Sequence, residues 1–243
     1  MIVSGLQAVK EALQSGQDIE RLVVDYKRRG DHHVQSILRM AEEKGIGIQV
    51  VPTRDFEVHA SRSRHAQGLV AYMRGTALLD WEKFLPTAPD YDLIVALDHL
   101  EDPNNMGAIL RSCEVFGAKA VLFPKDRNVS VTPSVIKASA GAIHHLQVVR
   151  VTNLSRSLTQ LKEKGFWIYG ADSNRGKSIK DFRPNFPAVL VVGNEHAGIS
   201  RLVQATLDEA IHIPMVGKVG SLNVSVATGI LLHQFRFGNS LGC

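Results

Sequence analysis

Three polar residues stand between apolar runs near the C-terminal end of the chain, in the stretch "IPMVGKVGSLNVSVATGILL". Ser221, Asn223 and Ser225 are spaced two apart, and the segment after them is apolar on nearly every face. A single Ser or Asn suffices to cap a helix, because its side chain accepts a hydrogen bond from a backbone N–H of the first turn. Three polar groups in apolar surroundings cost free energy unless each has a partner in the protein or in a ligand. The stretch therefore predicts a helix cap, a wall of a ligand pocket, or both.

Two further stretches place polar residues directly after apolar segments. In "DPNNMGAILRS", Asn105 stands near the start of a predicted helix, and Arg111 lies one to two turns further along. In "VVGNEHAGIS", Glu195 stands between Gly193 and Gly198, two residues that let the backbone approach a ligand closely. Positioned donors and a guanidinium could stabilise a developing negative charge. Each residue also has a structural interpretation, Arg111 as an ordinary surface residue and Glu195 as an acid at a helix N-terminus.

The elements that must position these residues are a series of apolar strands. The strand candidates are "LIVAL", "AVLF", "LQVVRV", "FWIYGA", "AVLVVG" and "AIHIP", separated by helical patterns such as "NLSRSLTQLKEKG". Near-continuous Val and Ile runs between helices indicate a mostly parallel sheet covered on both faces, which is an α/β fold. Ligands on such sheets bind beyond the carboxyl ends of the strands. No strand is followed by a Walker-type Lys or by G-x-G-x-x-G, which argues against nucleoside triphosphate and Rossmann dinucleotide sites.

The first part of the chain alternates helix and strand signals and forms a unit of its own. Its patterns predict a small α/β domain over residues 1–75. The stretch "RGTALLDWEKFLPTAPDYD" then brings two prolines and no sustained period, so we expect a linker at residues 76–90. Residues 91–243 remain as the second domain.

The composition limits which kinds of partner and which cellular compartment fit the protein. The formal net charge of +4 permits a polyanionic partner without requiring one. The concentrated basic patches are "KRRG" and "SRSRH", either of which could be solvated surface. Two cysteines, Cys113 and Cys243, are too few for a disulfide framework or a cysteine zinc site, which favours a reducing compartment and a cytoplasmic location. We find neither an export signal nor a membrane-spanning pattern.

Taken together and in this order, the three polar stretches closely resemble the three motifs of the SpoU family, also called TrmH, of S-adenosylmethionine-dependent RNA ribose 2′-O-methyltransferases. The resemblance covers about residues 93–235. "HAQGLVAYM", after a small α/β unit, is similar to the RNA-binding domain of the bacterial 23S rRNA (guanosine-2′-O-)-methyltransferase subgroup. The place after Pro103 is variable in the family and holds Asn104 here, so the family asparagine corresponds to Asn105.

The resemblance implies a SPOUT fold with a deep trefoil knot, a homodimer that uses the apolar helix around residues 224–235, and S-adenosylmethionine as cofactor. The implied catalytic residues are Arg111, Asn105, Glu195, Ser221 and Asn223. The implied cofactor-binding residues are Gly193, Ile213, Met215, Leu222 and Asn223. With an RNA-binding first domain, we expect phosphate contacts from Arg62, Arg64, Lys27, Arg28 and Arg29. The expected substrate is a guanosine of 23S rRNA, as naked rRNA or in a ribosome assembly intermediate.

Other functions remain open. The same fold could serve a tRNA ribose 2′-O-methyltransferase or a non-catalytic rRNA-binding assembly protein. A metalloenzyme using His144, His145 or His196 has little support, since no ligand spacing predicts a metal site. Methyl transfer to defined RNA classes discriminates among these possibilities.

Overall fold

The computed structural model of the protein describes residues 2–14, 19–60, 66–73, 78–126, 128–172, 175–218 and 220–238. They divide into two compact units, Met1–Gly75 and Thr76–Cys243. Each unit combines helices with a sheet, and the larger sheet is parallel at every strand pair described. The predicted α/β class with a mostly parallel sheet is confirmed. Among the described residues, no helix has the length and apolar character needed to cross a membrane.

The first unit is a four-stranded sheet with strand order β1-β4-β2-β3. Its strands are β1 (Ile2–Ser4), β2 (Ile19–Asp25), β3 (Gly47–Val51) and β4 (Leu69–Met73), and its helices are α1 (Leu6–Gln14), α2 (His32–Glu43), α3 (Thr53–Ala60) and a 3-10 turn (Tyr26–Arg28). β2 and β3 are parallel, whereas β4 runs antiparallel to β1 and β2. Side chains of α1 and α2 share one hydrophobic core with the sheet, while Phe56 of α3 packs in another.

The helix α2 shows how local sequence sets these elements. α2 begins after Asp31, whose side chain accepts a hydrogen bond from the backbone N–H of His33 at 2.9 Å. Val34, Ile37 and Leu38 are buried, at the three- and four-residue spacing of one helix face. The cap fixes where the helix starts, and the apolar face fixes which side meets the sheet.

The second unit holds an eight-stranded sheet with strand order β10-β12-β9-β11-β6-β7-β8-β5. The strands are β5 (Leu79–Asp80), β6 (Leu93–Asp98), β7 (Ala120–Pro124), β8 (Gln147–Val151), β9 (Trp167–Ala171), β10 (Lys177–Ser178), β11 (Ala188–Gly193) and β12 (Glu209–His212). The helices are α4 (Trp81–Phe84), α5 (Pro103–Val115), α6 (Pro133–Ala138), α7 (Leu154–Glu163), α8 (Arg201–Gln204) and α9 (Val224–Phe237), with 3-10 turns at Ala88–Asp90 and Ala142–His145. Every residue of β6 and β11 is buried, as expected for central strands covered on both faces.

Residues 78–90 differ from the linker expected over this part of the chain. They carry β5, α4 and the 3-10 turn Ala88–Asp90, and β5 pairs with β8. Trp81 and Phe84 are buried in the core of the second unit, and Trp81 Nε1 donates a hydrogen bond to Gln160 Oε1 at 2.8 Å. Two large aromatic side chains spaced three apart are enough to hold a single helical turn against the sheet, although the segment is too short to show a sustained period.

The carboxyl ends of β6 and β11 lie side by side, with Asp98 paired to Gly193. The segments that follow these strands therefore start next to each other. α5 begins after Asp102, whose carboxylate accepts from the N–H of Asn104 at 2.9 Å, and Pro103 occupies its first turn. This edge of the sheet brings together the first two of the polar stretches predicted to meet.

Candidate functional site

A cavity of about 360 Å³ opens at this edge of the second unit. Its volume lies within the range of small-molecule sites, about 300–1,000 Å³. The end of β11 and the residues that follow β11 and β12 form much of its wall, which includes Gly193, Glu195, Ile213, Met215, Ser221 and Leu222. Five residues were expected to bind a cofactor. Four of them, Gly193, Ile213, Met215 and Leu222, line this one cavity.

At Gly193 and Gly198 the wall of the cavity is backbone that carries no side chain. A Cβ atom on Gly193 would stand only 2.2 Å from the carbonyl carbon of Gly198. Asn194 and Gly198 exchange two backbone hydrogen bonds, of 3.0 and 2.9 Å, which close the loop on itself. Gly198 has φ +68°, in the left-handed region that glycine adopts without strain. Any side chain at position 193 would therefore displace this wall of the cavity.

A directed chain of hydrogen bonds joins the three polar stretches. Asn223 Nδ2 donates to Asn105 Oδ1 at 2.9 Å, and Asn105 Nδ2 donates to Glu195 Oε1 at 2.9 Å. Asn105 is 8 % exposed, so its amide is held away from bulk water. A carboxylate can only accept, so it suits the end of such a chain and leaves its second oxygen for a ligand hydroxyl.

Asn223 also caps α9. Its Oδ1 accepts from the N–H of Ser225 at 2.9 Å, from Ser225 Oγ at 2.6 Å and from the N–H of Val226 at 3.4 Å. Its Nδ2 remains for Asn105, while the exposed Ser221 lines the cavity. The two interpretations of this stretch are compatible, because the two ends of one carboxamide serve the cap and the site separately.

Arg111 is not among the residues that line the cavity. It lies on α5 with its side chain exposed, and within the described part of the chain it has no hydrogen-bond or ion-pair partner. The neighbouring Ser112 lines a shallow surface groove with residues of α9. Within one copy of the protein, hydrogen bonds thus link Asn105, Glu195 and Asn223, and Arg111 lies outside that network.

The expected RNA-binding residues belong to the first unit. Lys27 and Arg28 lie in the 3-10 turn after β2, and all three residues of the run Lys27, Arg28 and Arg29 are exposed. Arg28 Nη1 is 3.5 Å from Asp31 Oδ2, a surface ion pair that contributes little to stability. Arg62 and Arg64 lie outside the described residues.

A network beneath the loop that carries Glu195 gives no signal in the sequence. Asp98 is fully buried, and its carboxylate accepts from the Ser200 N–H and from His99 Nδ1, both at 2.6 Å. The His99 carbonyl accepts from Asn194 Nδ2 at 2.9 Å. An aspartate at a strand end usually indicates exposure, and only the three-dimensional pairing of β6 with β11 brings it under the loop.

The histidines considered for a metal site do not form a cluster. No group of three or more His, Cys, Asp or Glu residues in the described ranges could hold a metal ion. His196 instead belongs to the loop after β11, where its N–H donates to Asn194 Oδ1 at 2.9 Å.

Comparison with known families matches both units of the chain. The model of the SpoU rRNA methylase family matches residues 92–233. The model described as RNA 2′-O ribose methyltransferase substrate binding matches residues 2–76. The two matches together span nearly the whole sequence, one in each unit.

Curated relatives are similar over almost their full length. A protein of Staphylococcus haemolyticus, assigned to the TrmH family of tRNA/rRNA methyltransferases, is 37 % identical over 96 % of this chain and 94 % of its own. One of Staphylococcus saprophyticus with the same assignment is 38 % identical over 100 % of this chain and 98 % of its own.

Solved structures share the fold. A protein of Porphyromonas gingivalis, assigned to the TrmH family of RNA methyltransferases, aligns with a TM-score of 0.65 and 28 % identity over 97 % of this chain and 88 % of that one. The SpoU methyltransferase AviRb of Streptomyces viridochromogenes, solved with its cofactor AdoMet, aligns with a TM-score of 0.68 and 23 % identity over 100 % and 91 %. The family model covers more than half of the sequence and full-length relatives exceed 30 % identity, so the chain belongs to the SpoU family of RNA methyltransferases.

Proposed function

We propose that the protein transfers the methyl group of S-adenosylmethionine to the ribose 2′-oxygen of a guanosine in 23S rRNA. The observation that carries the proposal is the hydrogen-bond chain Asn223–Asn105–Glu195 at the cavity. Such a chain is built to hold one hydroxyl group in a fixed orientation, which is what attack on a methyl group requires. Membership of the SpoU family supports the reaction class.

The cavity suits a nucleoside cofactor. Gly193 has no room for a side chain, so loop backbone can lie directly against a bound group, while Ile213, Met215 and Leu222 supply apolar surface. These four residues would hold S-adenosylmethionine, with Asn223 beside them at the start of α9. When bound, the cofactor supplies the electrophilic methyl group, and the residues of the chain orient the acceptor.

The chemistry left to the protein is to position the ribose and to stabilise charge. The 2′-hydroxyl must lose its proton, which the free oxygen of the Glu195 carboxylate would accept, while its own oxygen attacks the methyl group in line. We assign orientation of that hydroxyl to Asn105 and Glu195, with Ser221 and Asn223 completing the polar rim. Arg111 would stabilise the forming alkoxide and a nearby phosphate, because a guanidinium stays protonated and offers a planar fork of donors.

We also propose a homodimer formed through α5 and α9. Val226 is 51 % exposed and Ile230 38 % exposed, although both stand on a helix whose other face is buried in the core. Together with Ser112, which follows Arg111 on α5, and with Phe116, the residue just after that helix, they border the shallow groove. A second copy would cover this apolar face and bring Arg111 into enclosed surroundings, where its charge acts more strongly.

The first unit would select the RNA. Its match to a substrate-binding model and the exposed run Lys27, Arg28 and Arg29 support RNA phosphate contacts there. Arg62 and Arg64 are proposed for the same role on their sequence alone. We prefer 23S rRNA, naked or in an assembly intermediate, because this two-unit organisation resembles the 23S rRNA subgroup, and the substrate places the protein in the cytoplasm.

A methylation assay with labelled S-adenosylmethionine tests the proposal. The full chain is incubated separately with 23S rRNA, ribosome assembly intermediates and tRNA, and modified nucleosides are identified after digestion. We expect 2′-O-methylguanosine at one position of 23S rRNA. Modification of tRNA alone would identify a tRNA ribose methyltransferase instead. Tight RNA binding without methyl transfer to any of the three would favour a non-catalytic assembly protein.

A further inference from the structure

A second cavity of about 540 Å³ lies against the loop that carries Glu195. Asn194, Ala197 and Gly198 line both this cavity and the one proposed for the cofactor, so the loop is a shared wall. The remaining lining of the second cavity comes from His99, Glu101, Asn128, Val129 and Ser200. The reaction needs a place for the base of the target nucleotide as well as for its ribose, and the proposed function has assigned none.

Hydrogen bonds hold His99 in the wall of this cavity. His99 is a non-glycine residue with φ +62°, a left-handed conformation that costs stability and recurs at functional sites. The buried carboxylate of Asp98 holds its ring at Nδ1, and its carbonyl is bonded to Asn194. The imidazole is 37 % exposed and lines the cavity. A fixed aromatic ring of this kind is a surface on which an unstacked RNA base can stack.

Glu101 supplies the cavity with a carboxylate. Its Oε1 accepts from Asn194 Nδ2 at 3.2 Å, which orients the group and leaves acceptor capacity on both oxygens. Asn128 is less available, since its Oδ1 accepts from the Leu100 N–H at 2.6 Å and its Nδ2 donates to the Val129 carbonyl at 3.1 Å. Glu101 is therefore the lining residue best placed to read a ligand.

Glu101 and the hydrogen-bond chain Asn223–Asn105–Glu195 meet in the loop after β11. Glu101 bonds to Asn194, and Asn105 bonds to Glu195, the next residue of the loop. Consecutive Cα atoms are only about 3.8 Å apart, so the two bonds hold neighbouring residues of one loop. Glu101 and the proposed ribose site are therefore anchored on adjacent residues of the wall that the two cavities share.

We propose that the second cavity binds the base of the nucleotide being methylated, and that Glu101 selects guanine. This inference rests on the proposed function and extends it to the choice of base. Guanine presents two adjacent donors on its Watson–Crick edge, N1–H and the N2 amino group, which match the two oxygens of a carboxylate. Uracil presents one N–H donor on that edge, and adenine and cytosine pair an amino group with an acceptor nitrogen, so none of these matches both oxygens.

The test compares the parental protein with Glu101→Gln, and with Glu163→Gln as a control that alters an exposed carboxylate on α7. The substrate is a 23S rRNA fragment that carries the methylated position, made with guanosine or with inosine, which lacks the N2 amino group, at that position. We expect Glu101→Gln to lower kcat/KM on the guanosine fragment about 5- to 150-fold, the range for a bidentate contact to a base. Cofactor affinity, measured by calorimetry, should be unchanged, and Glu163→Gln should behave as the parent.

The inosine fragment separates base recognition from a structural role. It should impair the parental protein while adding little further loss to Glu101→Gln, because both changes remove the same contact. Full activity of Glu101→Gln or equal inosine losses in both proteins would overturn the base assignment alone. Methylation of another nucleoside would overturn both the base assignment and the choice of guanosine in the proposed function. A parental protein that methylates no RNA would overturn the proposed function, and the base assignment with it.

Discussion

Asn223 donates a hydrogen bond to Asn105, 118 positions earlier in the chain, with 2.9 Å between Nδ2 and Oδ1. The bond joins the start of α9 to the start of α5, and Asn105 in turn donates a hydrogen bond to Glu195. The site is therefore a product of the folded second unit and not of any one stretch. A single carboxamide both begins a helix and orients the group proposed to hold the ribose, which allows the two roles to be separated experimentally.

Asn223→Asp should separate the cap from the site. Aspartate keeps an oxygen that caps α9 but has no N–H for Asn105, so stability should change little while methyl transfer falls. Without the bond the Asn105 amide can turn away from Glu195, and misplacing a positioning group lowers the rate, so we expect a decrease in kcat/KM of about 10-fold or more. Asn223→Ala is the comparison, because it also loses the cap and about 1 kcal/mol of stability. Unimpaired turnover by Asn223→Asp would show that the residue is only a cap.

Gly193→Ala should weaken cofactor binding. The added Cβ would stand 2.2 Å from backbone carbon of Gly198, so the loop must move out of the position that shapes the cavity. We expect affinity for S-adenosylmethionine or its demethylated product to fall about 10-fold or more, as loss of a positioned wall implies. Gly217→Ala is the matched control, because nothing lies within 4 Å of a Cβ there. Equal affinities of the two variants by calorimetry would contradict this role of the loop.

Low pH should destabilise the second unit through Asp92. Arg236 of α9 hydrogen-bonds to this carboxylate and to the carbonyls of Phe116 and Gly117, joining α9 to the end of α5. The Arg236 hydrogen bond holds the pKa of Asp92 below its ordinary value of 3.8. A lowered folded pKa contributes stability that is present above the unfolded value and is lost as pH falls through the folded one.

Urea unfolding of the parent and of Asp92→Asn measures this effect. Asp92→Asn should be less stable at pH 7, and its stability should fall less than that of the parent as pH drops below about 4. Asp90→Asn, an exposed neighbour, serves as control. Parallel pH profiles for the parent and Asp92→Asn would show that the ion pair contributes nothing measurable, as is common for surface pairs.

Much of the fold was predictable, because the strand signals are strong. All six apolar runs proposed as strands of the second domain form strands. The two-residue strands β5 and β10 escaped prediction, since two residues carry no periodicity. Trp81 and Phe84 were placed in a linker for the same reason, although their burial is what fixes that segment.

The candidate site was predictable only in part. Asn105, Glu195 and Asn223 were found through resemblance to family motifs, and no pattern in the sequence indicates that their side chains bond to one another. His99 and Asp98 gave no signal, because a left-handed backbone and a buried strand-end carboxylate are set by tertiary pairing. Arg111 is the opposite case. The family motif predicts a catalytic role for it, but its exposed position in a single copy of the protein does not explain that role.

The proposed dimer should depend on the exposed face of α9. Replacing Val226 and Ile230 together by Lys places two charges in an apolar interface, where burying unpaired charge is strongly unfavourable. Scattering should give about twice the 26.7 kDa chain mass for the parent and a single chain mass for the variant. Leu202→Lys, at an exposed apolar position on α8, should stay dimeric. A parental monomer that still methylates RNA at micromolar concentration would contradict the dimer.

Arg111 distinguishes an enzyme from an RNA-binding protein most sharply. Arg111→Lys keeps the positive charge but loses the planar fork that could engage a phosphate and the ribose oxygen together. Because the side chain does not line the cofactor cavity, cofactor affinity should be nearly unchanged. Loss of one preorganised charge-stabilising donor typically lowers the rate about 10²-fold or more, so single-turnover methylation of saturating RNA should fall at least that far.

The control for Arg111→Lys is Arg156→Lys, which alters an exposed helical arginine of the same unit. It should methylate RNA at the parental rate, since an exposed arginine outside the site gains little from its fork. Salt dependence adds a second measurement, because a lysine retains the phosphate attraction and should leave the salt slope of RNA binding unchanged. If Arg111→Lys turns over like the parent, then Arg111 is an ordinary surface residue. Charge stabilisation would then have to come from Asn105 and the backbone N–H groups around the cavity.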